Sequence, residues 1–150
     1  MTRTMNNDIF RFASATEVRK EWSLFFDRAV REKPVFIKRT RDNAVLADIS
    51  FVSLLLEKYT FDCKKYIEED GTITLSADIL DIIENGNTEE DVKVKMAESI
   101  LEYAEDFYSE YDLWSNASNR KDHIPYVFKA LLLNDISKIG DLIRCQNGKN

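Results

Sequence analysis

The stretch FASATEVRKEWSLFFDRAVREKPVFIKRTRDNAVLADISFVSLLLEKYTFD, residues 12–62, decides the architecture of this chain. Ser14 and Glu17 form an S-x-x-E pair, in which the serine oxygen accepts from the third helical N–H and the glutamate reaches back to the serine N–H. Val18, Trp22, Phe25, Phe26 and Ala29 then recur at helical spacing, so the pair predicts one amphipathic helix ending near Arg31. Lys33-Pro34 ends it, because proline lacks the N–H and biases the residue before it away from helix. Val35-Phe36-Ile37 reads as a strand, Thr40-Arg41-Asp42-Asn43 as a turn and Ala44 to Ile49 as the returning strand. Ser50 is placed to cap a second helix carrying Phe51, Leu54, Leu55 and Tyr59. A two-stranded hairpin is marginal alone, so helices must cover it, and the apolar face left over calls for a second copy of the chain.

Outside this stretch the pattern changes. Lys64 to Glu68 and Thr72 to Leu75 read as a hairpin around Glu69-Asp70-Gly71, and Ile79 to Ile83 as a third strand ending at Asn85-Gly86. Thr88 and Asp91 cap a long helix whose apolar face holds Val92, Met96, Ile100, Ala104, Phe107 and Tyr111. Its other side carries Glu98, Glu102, Glu105 and Asp106 as an acidic ridge. Residues 115–119 form a polar break. Arg120 to Leu133 follows as a helix that tolerates Pro125 in its first turn, then a last helix over 135–143, with 146–150 expected to fray.

At 150 residues and 44% apolar content the chain can bury a core without disulfides or metals. The start has no uninterrupted apolar run, and the chain reads as soluble and cytoplasmic with no membrane segment. Cys63 and Cys145 have no CxxC partner and read as reduced, part-buried residues. His123, the only histidine, reads as a surface or interface residue, and no metal, cofactor or catalytic motif is announced. The net charge of −6 is unevenly spread: residues 1–62 hold 11 Lys+Arg against 9 Asp+Glu, net +2, and residues 63–150 hold 10 against 18, net −8. Such asymmetry points to two different partners.

The order Ser14-Ala15-Thr16-Glu17-Val18-Arg19, Pro34-Val35-Phe36-Ile37-Lys38-Arg39 and Ala44-Val45-Leu46 resembles the Phd/YefM antitoxin family, whose members run "S-x-[ST]-E-x-R", "P-[VI]-x-I-x-[RK]" and "A-V-L" before a serine-capped helix. Val18 departs from the small residue common there, and Val52-Ser53 from the acidic pair. A shorter resemblance, from Lys64 through the turn and cap to the long helix, is to HicB-type antitoxins.

The resulting expectation is an α+β chain. Residues 1–62 form a strand-helix-hairpin-helix dimerisation module, and residues 63–150 a mainly helical, acidic, partner-binding domain with a small β-hairpin. The resemblance implies a homodimer that binds operator DNA, with dimers free to pair further. It places Arg19 and Arg39 on the DNA side; Lys20, Lys38 and Arg41 join them by proximity. It further implies a cognate toxin, expected to be basic, met by Glu98, Glu102, Glu105 and Asp106. A dimeric adaptor that binds no DNA is the alternative.

Overall fold

A computed structural model describes residues 10–148, and within it the chain divides into two compact units with the boundary between Leu55 and Leu56. The division falls earlier than expected, because Phe61 and Asp62 open the first strand of the second unit.

The first unit runs β1 (Ala13–Ser14), α1 (Ala15–Lys20), α2 (Trp22–Arg31), β2 (Val35–Arg39), β3 (Asp42–Leu46) and α3 (Ile49–Leu55). Its sheet has the order β1-β2-β3, with β1 parallel and β3 antiparallel to β2. The serine half of the S-x-x-E pair forms, Glu17 N–H donating to Ser14 Oγ at 3.1 Å. The single expected helix is instead two, because Glu21 leaves the helical region at φ −124°, ψ 45°. Three short strands are too narrow to cover the whole apolar stripe. Val18, Phe25 and Ala29 are buried with Ala13 and Val35, while Trp22, Phe26 and Val30, one row round the helix, stay 52%, 45% and 41% exposed.

The hairpin is tighter than expected. Arg39 and Asp42 pair in register, leaving only Thr40 and Arg41 in the loop, with Thr40 in the left-handed region at φ 53°. Asp48, and not Ser50, caps α3: its carboxylate accepts from Ser50 N–H at 3.1 Å and from the Ser50 hydroxyl, and its carbonyl accepts from Phe51 N–H. Those two serine contacts, the hydroxyl first, hold the Asp48 carboxyl below its ordinary pKa. No side chain of α3 is buried. Tyr59, expected on this helix, lies beyond it and packs edge-on to Tyr126 at 5.2 Å in the second unit.

The second unit runs β4 (Phe61–Ile67), β5 (Ile73–Ala77), β6 (Ile82–Gly86), α4 (Glu89–Ser109), α5 (Tyr111–Ser115), α6 (Ile124–Leu133), α7 (Ile136–Asp141) and β7 (Ile143–Asn147). The sheet order is β6-β5-β4-β7, so the small hairpin of the sequence reading grows into four strands. Residues 146–147, expected to fray, instead belong to β7, which pairs parallel with β4; residues 149–150 lie outside the described ones. The expected strand over 79–83 begins later, because Asp78–Leu80 forms a 3-10 turn and Asp81 takes φ 57°. Thr88 caps α4 through Asp91 N–H at 3.1 Å, as its spacing predicts. One face of the sheet is covered by helices, and Val92, Met96, Ala97, Ile100, Ala104 and Phe107 of α4 are all at most 1% exposed.

Cys63 and Cys145 are register partners across β4 and β7. Burial pushes the Cys63 thiol up to about 12 and raises that of Cys145 as well. His123, expected at the surface, is 4% exposed. Tyr103 bridges it to Arg120: the Arg120 guanidinium donates to the Tyr103 oxygen at 2.9 Å, so the phenol donates onward to His123 Nδ1 at 2.5 Å. That direction assigns the neutral imidazole with its proton on Nε2. Arg120 lies over Trp114 at 4.8 Å and Tyr103 at 5.5 Å, a stack of cation on aromatic faces, and among the described residues it enters no ion pair.

Two outcomes test this packing. A Cβ built on Gly86 would sit 2.9 Å from the Val92 backbone nitrogen where β6 meets α4, so Gly86→Ala must displace backbone. The loss expected is about 1–3 kcal/mol, read by denaturant unfolding. Burial, then the neighbouring Arg120 charge, holds the His123 imidazole below its ordinary 6.5. The unfolded chain therefore binds this proton first, and the histidine's contribution to stability, full above about 6.5, is lost as pH falls from there through the lower folded-state value. His123→Gln should flatten the melting temperature between pH 7.5 and 5 relative to the parent protein.

Candidate functional site

Two separate surfaces carry the residues singled out by sequence, one on each unit. On the first, Ser14 pairs in register with Lys38, which sets the start of α1 beside the outer end of β2. Lys38 and Arg39 end that strand, and Arg41 occupies the two-residue loop. Arg19 shares the wall of a shallow cleft with Ala15, Val18, Trp22 and Ile37, on the α1 side of the same sheet. All five basic residues, Lys20 included, are exposed. A tight loop therefore puts Lys38, Arg39 and Arg41 at one end of the sheet, with Arg19 beside Ile37 on its α1 side.

One expectation changes. Arg19 and Lys20 sit in the last turn of α1, which ends at Lys20, so they do not flank amides at a helix start. Their charge instead complements the negative end of that short helix. Arg39 is held by Asp42 at 3.3 Å across the loop, both about three-quarters exposed. Arg28 and Arg31 are engaged by Glu32 at 3.8 Å and Asp27 at 3.2 Å. Among the described residues Arg19, Lys20, Lys38 and Arg41 enter no ion pair. An exposed pair such as Arg39–Asp42 contributes well under about 1 kcal/mol, so the guanidinium can exchange its carboxylate for another anion at small cost.

Sequence reasoning expected an apolar face left over on this unit but did not name the residues that form it. Trp22, Phe26 and Val30 repeat every four residues along the exposed side of α2, and Ile49, Leu54 and Leu55 of α3 are 63–64% exposed. The four-residue spacing was legible, but which rows the narrow sheet would cover was not.

On the second unit, Glu98, Glu102, Glu105 and Asp106 all lie on the solvent side of α4, as the helical spacing predicts. None of the four enters an ion pair among the described residues. Lys95, the nearest cation on that helix, is turned away and donates to the Asn85 carbonyl at 3.0 Å. The last turn of α4 holds no basic residue, although the negative end of the helix dipole favours one. Asp106 therefore stands where a cation would stabilise the helix. Asp106→Lys should raise stability by about 0.3–1 kcal/mol, measured by urea unfolding at low salt.

Neither surface resembles a catalytic cleft. Among the described residues no three His, Cys, Asp or Glu side chains are grouped to hold a metal ion, and no helix is long and apolar enough to cross a membrane.

Comparison with known proteins agrees across both units. No curated protein sequence matches the chain. The crystal structure of an antitoxin, part of a toxin/antitoxin system from Syntrophomonas wolfei subsp. wolfei, superposes with a TM-score of 0.88 at 34% identity, covering 93% of this chain and 100% of that one. The family described as PHD-like, antitoxin of toxin–antitoxin RelE/RelB systems, matches residues 10–145. A fold shared end to end and a family match across both units together make this chain a member of the PHD-like family of toxin–antitoxin antitoxins.

Proposed function

We propose that this antitoxin acts as a Phd/YefM-type repressor and neutraliser: its first unit dimerises and binds operator DNA, and its second unit binds the cognate toxin in the cytoplasm. The observation that carries the first half is the combination of a small core with an uncovered apolar face. Among the described residues of the first unit five are buried, and a unit of this size is marginal on such a core. Trp22, Phe26 and Val30, with Ile49, Leu54 and Leu55, offer the missing burial to a second copy, each side chain contributing about 1.5–3 kcal/mol if fully covered. Two copies would also double a modest cationic surface. The first unit, residues 1–55, holds 10 Lys+Arg against 7 Asp+Glu, and a net +3 is too little to hold DNA from one protomer, whereas paired sets of Arg19, Lys20, Lys38, Arg39 and Arg41 suit two half-sites.

The second half rests on charge. Residues 63–150 carry net −8, and the unpaired carboxylates of α4 suit a basic toxin surface, which such a field would steer into contact. The family's antitoxin assignment supplies the partner class. A dimeric adaptor without DNA binding draws support from the Arg39–Asp42 pair, which engages one of the DNA-side arginines internally.

Salt dependence separates the two. If the dimer neutralises about six phosphates, affinity for the upstream intergenic DNA falls roughly a thousandfold between 50 and 200 mM salt. Arg39→Ala should weaken binding and lower the salt slope by about one unit per arginine lost, while Asp42→Asn, which frees Arg39, should tighten it. Gel shifts with no retarded species at 50 mM salt would leave the adaptor reading standing.

A further inference from the structure

Beside the acidic ridge of α4 runs a second row, whose middle residue, Leu101, packs partly against the core while its two ends stay exposed. Val94, Leu101 and Tyr108 lie seven residues apart, a spacing that drifts only about 20° around a helix per step. Val94 is 51% and Tyr108 61% exposed. The row spans about 21 Å, or four helical turns. Its opposite bank comes from α6 and α7. Phe128 meets Tyr108 edge-on at 6.4 Å and Tyr111 at 6.0 Å, and Ile136 shares with Val94 a cleft of about 520 Å³ that also contains Gly140. A Cβ on Gly140 would meet nothing within 4 Å, so the floor of that cleft is open.

Resting on the toxin-binding reading above, we propose that this channel is the seat of one basic amphipathic helix of the toxin. Three features select that occupant. The apolar row has the heptad spacing that another helix's seam matches, whereas an extended strand would present its contacts every second residue. Glu98, Glu102 and Glu105 follow at steps of four and three along one bank, where Lys and Arg flanking a partner's apolar seam would meet them. The carboxylate at the dipole-disfavoured end of α4, Asp106, gains a cation only from outside the chain. The exposed Val94 and Tyr108 and the carboxylate of Asp106 depart from what the isolated unit would favour, and a basic helix answers all three.

The test uses the full chain co-expressed with the product of the adjacent toxin gene. Parent complex formation establishes the toxin link by itself, and its absence would overturn both that reading and this one. Given a parent complex, the double substitution Val94→Lys, Tyr108→Lys should weaken it at least a hundredfold with an unchanged circular dichroism spectrum. Ile83→Lys, equally exposed on the far face of the sheet, should leave it unaltered. Replacing Glu98, Glu102 and Glu105 by Gln should slow association about tenfold and leave dissociation nearly unchanged. Hydrogen exchange of the bound toxin should protect one helical segment rich in Lys and Arg. Undiminished binding by the double variant, or protection of an extended or acidic toxin segment, would overturn the helix-in-channel assignment while leaving toxin binding intact.

Discussion

Every ordered residue costs about 1–2 kcal/mol of backbone entropy, and each unit must bury enough apolar surface to offset it. The second unit does so alone. Six side chains along a single face of α4 disappear beneath the helices and sheet, joined by Phe61, Leu75, Val127 and Ile139 into one continuous core. The first unit buries Val18, Phe25 and Ala29 under three short strands and leaves a full row of α2 and all of α3 uncovered. The same constraint therefore yields a self-sufficient body at one end of the chain and, at the other, a body whose apolar surface is built for company.

Electrostatics follows this division. In the first unit, Lys38, Arg39 and Arg41 gather at the β2–β3 end of the sheet, and the β1–β2 register sets the start of α1 beside Lys38. In the second, carboxylates occupy the exposed side of the helix whose other side is the core, so the helix that organises the packing also sets the field. A chain with net −6 can thus present opposite signs to two partners.

Much of this was legible in the sequence where a local rule met no competition. Ser14 and Thr88 cap the helices their spacing announces, Pro34 and the Glu69–Gly71 turn end and reverse the chain as expected, and the α4 face reads directly from its period. The misses have a common cause in tertiary context. Nothing in Glu21, an ordinary helix former, signals that the helix breaks there. Ile143, Cys145 and Asn147 alternate with Arg144 and Gln146, but a five-residue terminal run is too short to declare itself a strand without β4 beside it. Asp48 outcompeted Ser50 as a cap because its carboxylate reaches both serine donors. His123 looked superficial because its partners, Tyr103 and Arg120, come from different elements, and only their meeting makes burial tolerable. At the candidate sites the residue identities were readable, yet the Arg39–Asp42 pair and the apolar channel beside the ridge arise from register and helix packing.

The parallel pairing of β7 with β4 joins the last strand of the second unit to its first. During synthesis, β4 therefore emerges early and waits unpaired on one side until helices α4 to α7 and the final strand have left the ribosome. The first unit, complete by Leu55 and rich in local contacts, faces no such delay. Order of emergence thus becomes order of completion: the first module closes its core while the acidic module is still an open sheet, and the acidic module's core closes last.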